Sequence, residues 1–217
     1  MEEDAVLKKI KSQIQGDLKP VHALPPVWKR VLLLFPIWIV LIALVLAVFG
    51  LRPDYDVVGP WLLWSLLLVQ FLAAYLIIAF GVRSTIPGSA VPVPLLIIFT
   101  FIGLATHLIL TETVFRLSPT LVESEREFLV SCVCFSITLF LGLIPLALFL
   151  LLSSKGLTSH PALLGLVCGL GSGLSGEAVW RMHCPYNSWD HILTAHSGAI
   201  VAVAILGCII RKKAGRR

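Results

Sequence analysis

The sequence predicts an all-α integral membrane protein, in which a bundle of six transmembrane helices follows a short cytoplasmic amphipathic arm. Of the 217 residues, 58% are hydrophobic and only 13% are charged, and the mean hydropathy is +0.95. A water-soluble domain cannot bury that much apolar surface. Apolar windows long enough for a hydrocarbon core of roughly 30 Å recur along the chain. Lysine and arginine also collect at both termini and in alternate loops.

The arm is predicted to cover residues 1–30 and to begin with an amphipathic helix over residues 1–19. Its apolar residues recur at helical spacing: Leu7, Ile10, Ile14 and Leu18. Pro20 ends the helix, because proline lacks the N–H donor and disfavours helix at the preceding residue. No short apolar stretch with a small-residue cleavage site precedes the first window, so we predict no cleaved signal peptide. The stripe fits either membrane lipid or a groove on a soluble partner.

The membrane domain is predicted to cover residues 31–210, followed by a basic cytoplasmic tail over residues 211–217. Its apolar windows are 31–50, 61–82, 91–110, 128–152, 161–180 and 191–210. In the fifth window Gly165, Gly169 and Gly173 are spaced by four. Such small residues let helix backbones approach closely, so we predict that the fifth span lies at the centre of the bundle.

The distribution of basic residues predicts the orientation. Most of the 17 lysines and arginines lie in the arm, the tail and the 81–90 and 153–160 loops. The outer loops are predicted to be 51–60, 111–127 and 181–190. Only four basic residues lie on that side: Arg52, Arg116, Arg126 and Arg181. The positive-inside rule places both termini in the cytoplasm. Because topology explains the basic excess, we predict no direct binding of nucleic acid.

Three cysteines share the predicted outer side of the membrane. Cys132 and Cys134 begin the fourth span and Cys184 lies in the loop between spans five and six, whereas Cys168 and Cys208 fit as small apolar fillers. Residues two apart on a helix point about 200° apart, so only one of the first pair faces inward. Small and polar residues continue the direction of Cys134, whereas bulky ones continue that of Cys132. Cys134 is therefore the inward thiol and the better partner for Cys184, with Cys132 as the alternate.

Other ionisable side chains collect at the same end of the spans. His107 and Glu177 lie near the outer ends of the third and fifth windows, and His191 and His196 begin the sixth. With His183 and Cys184, these histidines are candidate ligands for zinc or a softer metal, although the spacing matches no standard zinc signature. Alternatively the thiols form a redox sensor, or the polar groups cap helix ends and bond one another at the wet interface. We predict no resident metal or cofactor.

Two short stretches resemble NrsF-type proteins. The sequence LKPVHALPPVWKR over residues 18–30 resembles the segment that leads into their first span. The sequence HCPYNS over residues 183–188, followed by the entry to the sixth span ending in His196, resembles their outer 5–6 loop. The cysteine of the fourth span, Pro145, Lys155-Gly156, Pro161 and the glycine-rich fifth span fit the same pattern, so the resemblance covers essentially the whole chain.

The resemblance implies a six-span anti-sigma factor of the bacterial inner membrane. Such proteins hold an extracytoplasmic-function (ECF) sigma factor through the cytoplasmic arm and release it under oxidant or heavy-metal stress. Carried over to this chain, the sensing cysteines are Cys134 and Cys184. Since the resemblance assigns the arm to the sigma factor, we expect the apolar stripe found by helical spacing, Leu7, Ile10, Ile14 and Leu18, to bind it. Cys132 is an extra thiol beside the expected one.

The sequence is also compatible in part with two other functions. A membrane thiol oxidoreductase requires a reactive pair, usually Cys-x-x-Cys, and a second exchanging pair, whereas the close pair here is Cys-x-Cys. A small transporter fits the glycine-interrupted fifth span, but the sequence has neither repeated halves nor a polar path through the bundle. We therefore predict a non-enzymatic regulator whose partners are a sigma factor and membrane lipid. The sequence is also compatible with a homo-oligomer.

Overall fold

The computed structural model describes residues 25–214, apart from residues 87, 90, 119–126, 155 and 157. Within these residues all regular structure is helical, and six helices are long and apolar enough to cross a membrane. The predicted all-α class is thereby confirmed for the described residues, and so is the number of helices long and apolar enough to cross a membrane. The arm residues predicted to bind a partner, Leu7, Ile10, Ile14 and Leu18, lie outside the described part of the chain.

The six long helices are numbered here as spans 1 to 6. Span 1 consists of two helices, Val27–Val31 and Leu34–Phe49, and a short helix, Tyr55–Val58, follows it. Spans 2 to 5 are Pro60–Arg83, Val93–Leu117, Glu127–Ser153 and Pro161–Arg181. Span 6 combines a short helix, a π-helical segment and an α-helix: Trp189–His191, Ile192–Ser197 and Gly198–Ala214. The end of the bundle that carries Cys184 is called the cysteine end, and the opposite one the terminal end.

Several helix boundaries differ from those predicted. Span 3 continues to Leu117, so the predicted 111–127 loop is wrong over its first seven residues. Glu112 and Arg116 form an ion pair one helical turn apart, which supports the extension. Span 1 begins at Val27, inside the predicted arm, and is interrupted before Leu34. Pro36 explains the interruption, because it has no N–H to donate to the carbonyl of Leu32.

Span 5 is the central helix, as its glycines predicted. In its most apolar window 78% of residues are buried inside the protein, against no more than 44% in any other span. It packs against spans 2, 4 and 6. By contrast, large apolar side chains on the other spans point outward, among them Ile39, Trp61, Leu68, Phe101 and Leu151. An apolar exterior around a tightly packed central helix is the arrangement expected of a bundle in lipid.

Glycine makes this close packing possible. A Cβ on Gly169 would lie 2.7 Å from the Cα of Ala204, and one on Gly173 would lie 2.8 Å from the Cα of Ile200. On another face of span 5, a Cβ on Gly176 would lie 2.7 Å from the Cα of Gly142 in span 4. Because these neighbours are backbone atoms, no side-chain rotation can relieve the contact. Spans 4 and 6 are therefore held directly against the backbone of span 5.

We expect Gly169→Ala to destabilise the bundle by about 1–3 kcal/mol, the usual cost of overpacking, although alanine favours helix by about 1 kcal/mol. Thermal denaturation of the full chain in detergent measures the effect. Gly198→Ala is the matched control, because a Cβ there would meet Phe135 at an ordinary distance of 3.5 Å. Equal melting temperatures for the two variants would contradict backbone contact between spans 5 and 6.

Candidate functional site

Two thiols and two imidazoles meet inside the cysteine end of the bundle. This cluster, called the thiol–imidazole cluster, consists of Cys134, Cys184, His191 and His196, all of them buried. One candidate ligand atom from each residue lies within 4.8 Å of the others. The sulfurs of Cys134 and Cys184 are 3.8 Å apart, and the sulfur of Cys184 is 3.6 Å from Nε2 of His191. Residues from span 4, the 5–6 loop and span 6 thus converge on one point.

The backbone of the 5–6 loop positions Cys184 and His191. The N–H of Cys184 donates to the carbonyl of Trp180 at 3.1 Å, so the cysteine continues directly from the end of span 5. Ser188 lies at the N-cap of the next helix, and its hydroxyl accepts from the N–H of His191 at 3.4 Å. Serine at this position satisfies a donor that the first turn leaves free. The loop is therefore closed at both ends by helix termini.

A π-helical segment brings the two histidines together. His191 and His196 are five residues apart, and in an α-helix such residues point about 140° apart. Span 6 instead forms a π-helix over Ile192–Ser197. Its wider turn joins residues i and i+5, so the rings come to the same side with their centroids 5.3 Å apart. Such segments are rare and occur frequently at functional sites.

Each histidine of the cluster has an oxygen atom behind it. Nδ1 of His191 is 3.2 Å from the hydroxyl of Ser131. Nδ1 of His196 is 3.4 Å from a carboxylate oxygen of Glu177. Because these oxygens lie next to the Nδ1 atoms, the Nε2 atom of each ring is on the side of the cluster's interior. Within the described residues, Nε2 of His196 has no hydrogen-bond partner.

Glu177 is the centre of a second, charged network beneath the cluster. Its carboxylate accepts from Nε of Arg181 at 2.7 Å and from the side-chain amide of Gln70. Nδ1 of His107 lies 3.3 Å from the same carboxylate, and Arg181 also donates to Thr111 at 3.0 Å. The network joins spans 2, 3, 5 and 6. Because an unpaired buried charge costs several kcal/mol, these partners are required for Glu177 to lie there as an ion.

A third set of polar contacts fixes the 5–6 loop to the loop after span 1. Arg52 donates to both carboxylate oxygens of Asp54, at 2.6 and 2.8 Å, and to Asn187 at 3.2 Å. The amide of Asn187 donates in turn to the carbonyl of Ser118 at 3.0 Å. Burial alone would raise the pKa of Asp54, but the hydrogen bonds and charge of Arg52 outweigh it and lower that pKa below its usual value.

The remaining sequence candidates lie outside the cluster. Nδ1 of His183 is 3.1 Å from the carbonyl of Gly50, and its ring packs against Phe49 and Trp180. Cys132 is exposed, in agreement with the helical-face argument that turned Cys134 inward. Cys168 is fully buried against span 2, as a small apolar filler would be.

The chemistry of the cluster is that of two thiols sheltered from solvent. The hydrogen bond to Cys134, together with burial, raises the pKa of Cys184 well above its usual value. Because Cys184 is buried, reagents in bulk solvent have little access to its sulfur. The two sulfurs nevertheless lie close enough for a small movement to join them, and the four donor atoms could also share one thiophilic cation.

Sequence reasoning missed several members of these networks. Gln70 went unnoticed, although a lone amide inside an apolar span is a signal that it faces inward. Arg181 was read only as a basic residue of the outer loop, although its spacing of four from Glu177 predicts an ion pair on one helical face. Ser131 is one of the small, polar residues on the Cys134 face of span 4, but its contact with His191 had no signal in the sequence. The π-helical segment had no signal in the sequence.

The comparisons with known proteins identify a family for this architecture. A family model described as NrsF, negative regulator of sigma F, matches residues 15–216. Neither a curated protein nor a solved structure matches the chain. The match extends over all six spans, the thiol–imidazole cluster and the Glu177 network. The chain therefore belongs to the NrsF family and is a negative regulator of a sigma factor.

Proposed function

We propose that this protein is a membrane-bound anti-sigma factor that holds an ECF-type sigma factor at the bacterial inner membrane and releases it when Cys134 and Cys184 are modified. The observation that carries the proposal is the 3.8 Å separation of two buried sulfurs from different elements of an NrsF-family bundle. The role is regulatory, and we propose no enzymatic step. Oxidants and heavy metals both act on thiols, so either fits as the signal.

The proposed orientation has both termini in the cytoplasm. At the terminal end, spans 2 and 6 carry Arg83, Arg211, Lys212 and Lys213 in their last turns. The positive-inside rule favours the cytoplasm for such a cluster. The cysteine end would then face the periplasm, where a disulfide persists once formed.

The proposed sensing step is the formation of a disulfide between Cys134 and Cys184. A disulfide has a sulfur–sulfur distance of about 2.05 Å, so the sulfurs must approach by about 1.8 Å. Together the two thiols lose two electrons and two protons. With hydrogen peroxide as the oxidant, its oxygen–oxygen bond breaks, the two oxygens take up the two electrons and two protons, and two molecules of water leave. The new bond would join the beginning of span 4 to the 5–6 loop.

A path toward the terminal end is provided by spans 4 and 6. Both pack against the glycines of span 5. At their far ends Arg211 of span 6, which is buried, donates to the carbonyl of Ser153 in span 4 at 3.2 Å. A shift between spans 4 and 6 at the cysteine end would therefore also strain the contact between Arg211 and Ser153 at the terminal end. Coupling of this kind requires two discrete packings of the bundle.

The sigma factor is proposed to bind the arm over residues 1–30. An amphipathic helix that presents Leu7, Ile10, Ile14 and Leu18 suits an apolar groove on a partner. The chain enters span 1 directly after Pro25 and Pro26, and the first helix, Val27–Val31, packs against span 2. A stiff attachment to the bundle would let movement of the spans alter how the arm is presented.

We expect Cys134→Ser and Cys184→Ser, tested singly, each to abolish oxidant induction of a sigma-dependent reporter gene, because one sulfur cannot form the bond. Repression without oxidant is expected to stay intact. Cys132→Ser is the matched control, since that thiol lies two residues away and is exposed; it should respond like the wild type. Normal induction in both of the first two variants would refute the thiol mechanism.

A separate prediction concerns the arm. We expect the full-length double variant Leu7→Ser, Ile14→Ser to lose its sigma factor, because it removes half of the apolar stripe. Affinity purification from membranes, with sigma-factor peptides quantified by mass spectrometry, measures retention, and Gln13→Ser is the control away from the stripe. Loss of at least tenfold in the double variant alone is expected. Equal retention in all three proteins would count against the arm as the docking segment.

A further inference from the structure

We propose that the thiol–imidazole cluster is a closed, four-ligand site for a divalent cation such as Zn²⁺, with Cys134, Cys184, His191 and His196 as its ligands. Zn²⁺ binds thiolate at about 2.3 Å and imidazole at about 2.0–2.1 Å in tetrahedral geometry. Those lengths place two sulfur ligands about 3.8 Å apart, and sulfur and nitrogen about 3.6 Å apart. The observed separations are 3.8 Å between the sulfurs and 3.6 Å between Cys184 and His191.

The surroundings of the histidines match those of metal ligands. A metal-bound histidine usually presents its other ring nitrogen to an oxygen atom, which fixes the tautomer and the orientation of the ring. Ser131 provides that oxygen for His191 at 3.2 Å, and Glu177 provides it for His196 at 3.4 Å. Nε2 of His191 is then turned toward the sulfur of Cys184, at 3.6 Å, and Nε2 of His196 makes no hydrogen bond in the described part of the chain.

The unpartnered nitrogen of His196 provides an independent reason for a ligand. His196 is fully buried, and in the described part of the chain neither of its ring nitrogens makes a hydrogen bond, although Nδ1 lies 3.4 Å from a carboxylate oxygen of Glu177. Leaving a buried polar atom unsatisfied costs about 1–3 kcal/mol. The π-helical segment that turns this residue toward His191 is a further departure from regular helix. A bound cation would account for both features.

The charge balance favours a divalent cation. Two thiolates and two neutral imidazoles carry a total charge of −2, which one divalent ion neutralises when the thiols release their protons. A neutral site is far cheaper to bury than a charged one. The charge of Glu177 is already balanced by Arg181. With four protein ligands no position is left for water, so the site would be structural or regulatory rather than hydrolytic.

A groove with two acidic residues lies next to the residue that supports His191. An open groove of about 640 Å³ lies beside the cluster between the beginnings of spans 4 and 6. Its lining includes the carboxylates of Glu127 and Asp190 and the hydroxyl-bearing Ser131, which itself contacts His191. Acidic residues at the mouth of a groove raise the local concentration of cations. The groove therefore reaches Ser131, which contacts His191, while the four proposed ligands themselves are buried behind its lining.

The metal site and the proposed disulfide use the same sulfurs, so one excludes the other. Bound Zn²⁺ should protect Cys134 and Cys184 from oxidation. Binding of the cation itself does not depend on whether the chain holds a sigma factor, and purified protein tests it alone. Failure of the metal site would leave the thiol mechanism intact, and failure of sigma-factor binding would leave the metal site intact.

The test is titration of the reduced, full-length protein in detergent with Co²⁺, followed by displacement with Zn²⁺. Tetrahedral thiolate-bound Co²⁺ gives intense visible d–d bands and a charge-transfer band in the near ultraviolet. We expect one Co²⁺ per chain with these bands, and their loss when Zn²⁺ is added. Absence of tetrahedral bands together with no Zn²⁺ retained after gel filtration would overturn the proposal.

Variants separate the four-ligand site from binding by thiols alone. His196→Ala should lower the affinity for Co²⁺ by at least tenfold and remove the stabilisation that Zn²⁺ gives in thermal denaturation. Glu177→Gln should lower the affinity by about 10–100-fold by weakening the support behind His196. His183→Ala and Cys132→Ser, which alter the same residue types outside the cluster, should bind like the wild type. If His196→Ala and His191→Gln both bind Co²⁺ as tightly as the wild type, the assignment of histidine ligands is wrong.

Discussion

The buried carboxylate of Glu177 is the constraint on which the cysteine end of this bundle depends. A charge in an apolar interior requires partners, and here they come from four different spans: Gln70, His107, Arg181 and His196. Removing one partner of a buried ion pair typically costs about 3–5 kcal/mol. The requirement to satisfy one carboxylate therefore fixes the relative rotation of spans 2, 3, 5 and 6.

The glycines of span 5 make that arrangement sterically possible. Close contact at Gly169, Gly173 and Gly176 brings the backbones of spans 4 and 6 against the central helix. Side chains at the cysteine ends of spans 4 and 6 can then meet over the end of span 5. Cys134 comes from span 4 and His196 from span 6, so their meeting depends on how closely both spans pack against span 5. The polar site thus depends on the glycines of span 5, which have no reactive side chain but let the helices approach closely.

The two layers of the site have different tasks. The outer layer, the thiol–imidazole cluster, offers sulfur and nitrogen donors, while the Glu177 network beneath it orients His196 and connects it to spans 2 and 3. The contacts of Arg52 and Asn187 hold the 5–6 loop in place from the other side. A chemical change at the sulfurs would consequently act on side chains that are hydrogen-bonded to several spans. Through those bonds it could change how the spans pack, as regulation of a distant segment requires.

The sequence by itself determined the features that follow from hydropathy and helical period. The six apolar windows correspond to six helices long and apolar enough to cross a membrane. The glycine spacing identified span 5 as central, and the faces of span 4 separated buried Cys134 from exposed Cys132. Each of these is a property of one helix taken by itself. Only the tertiary structure decided which polar residues meet. The pairing of His196 with Glu177, the turn of His183 toward Gly50 and the helical extension of span 3 to Leu117 depend on contacts between spans and on a π-helical segment. The period of a single helix carries no information about its rotation against a neighbour or about a local departure from α-helical geometry.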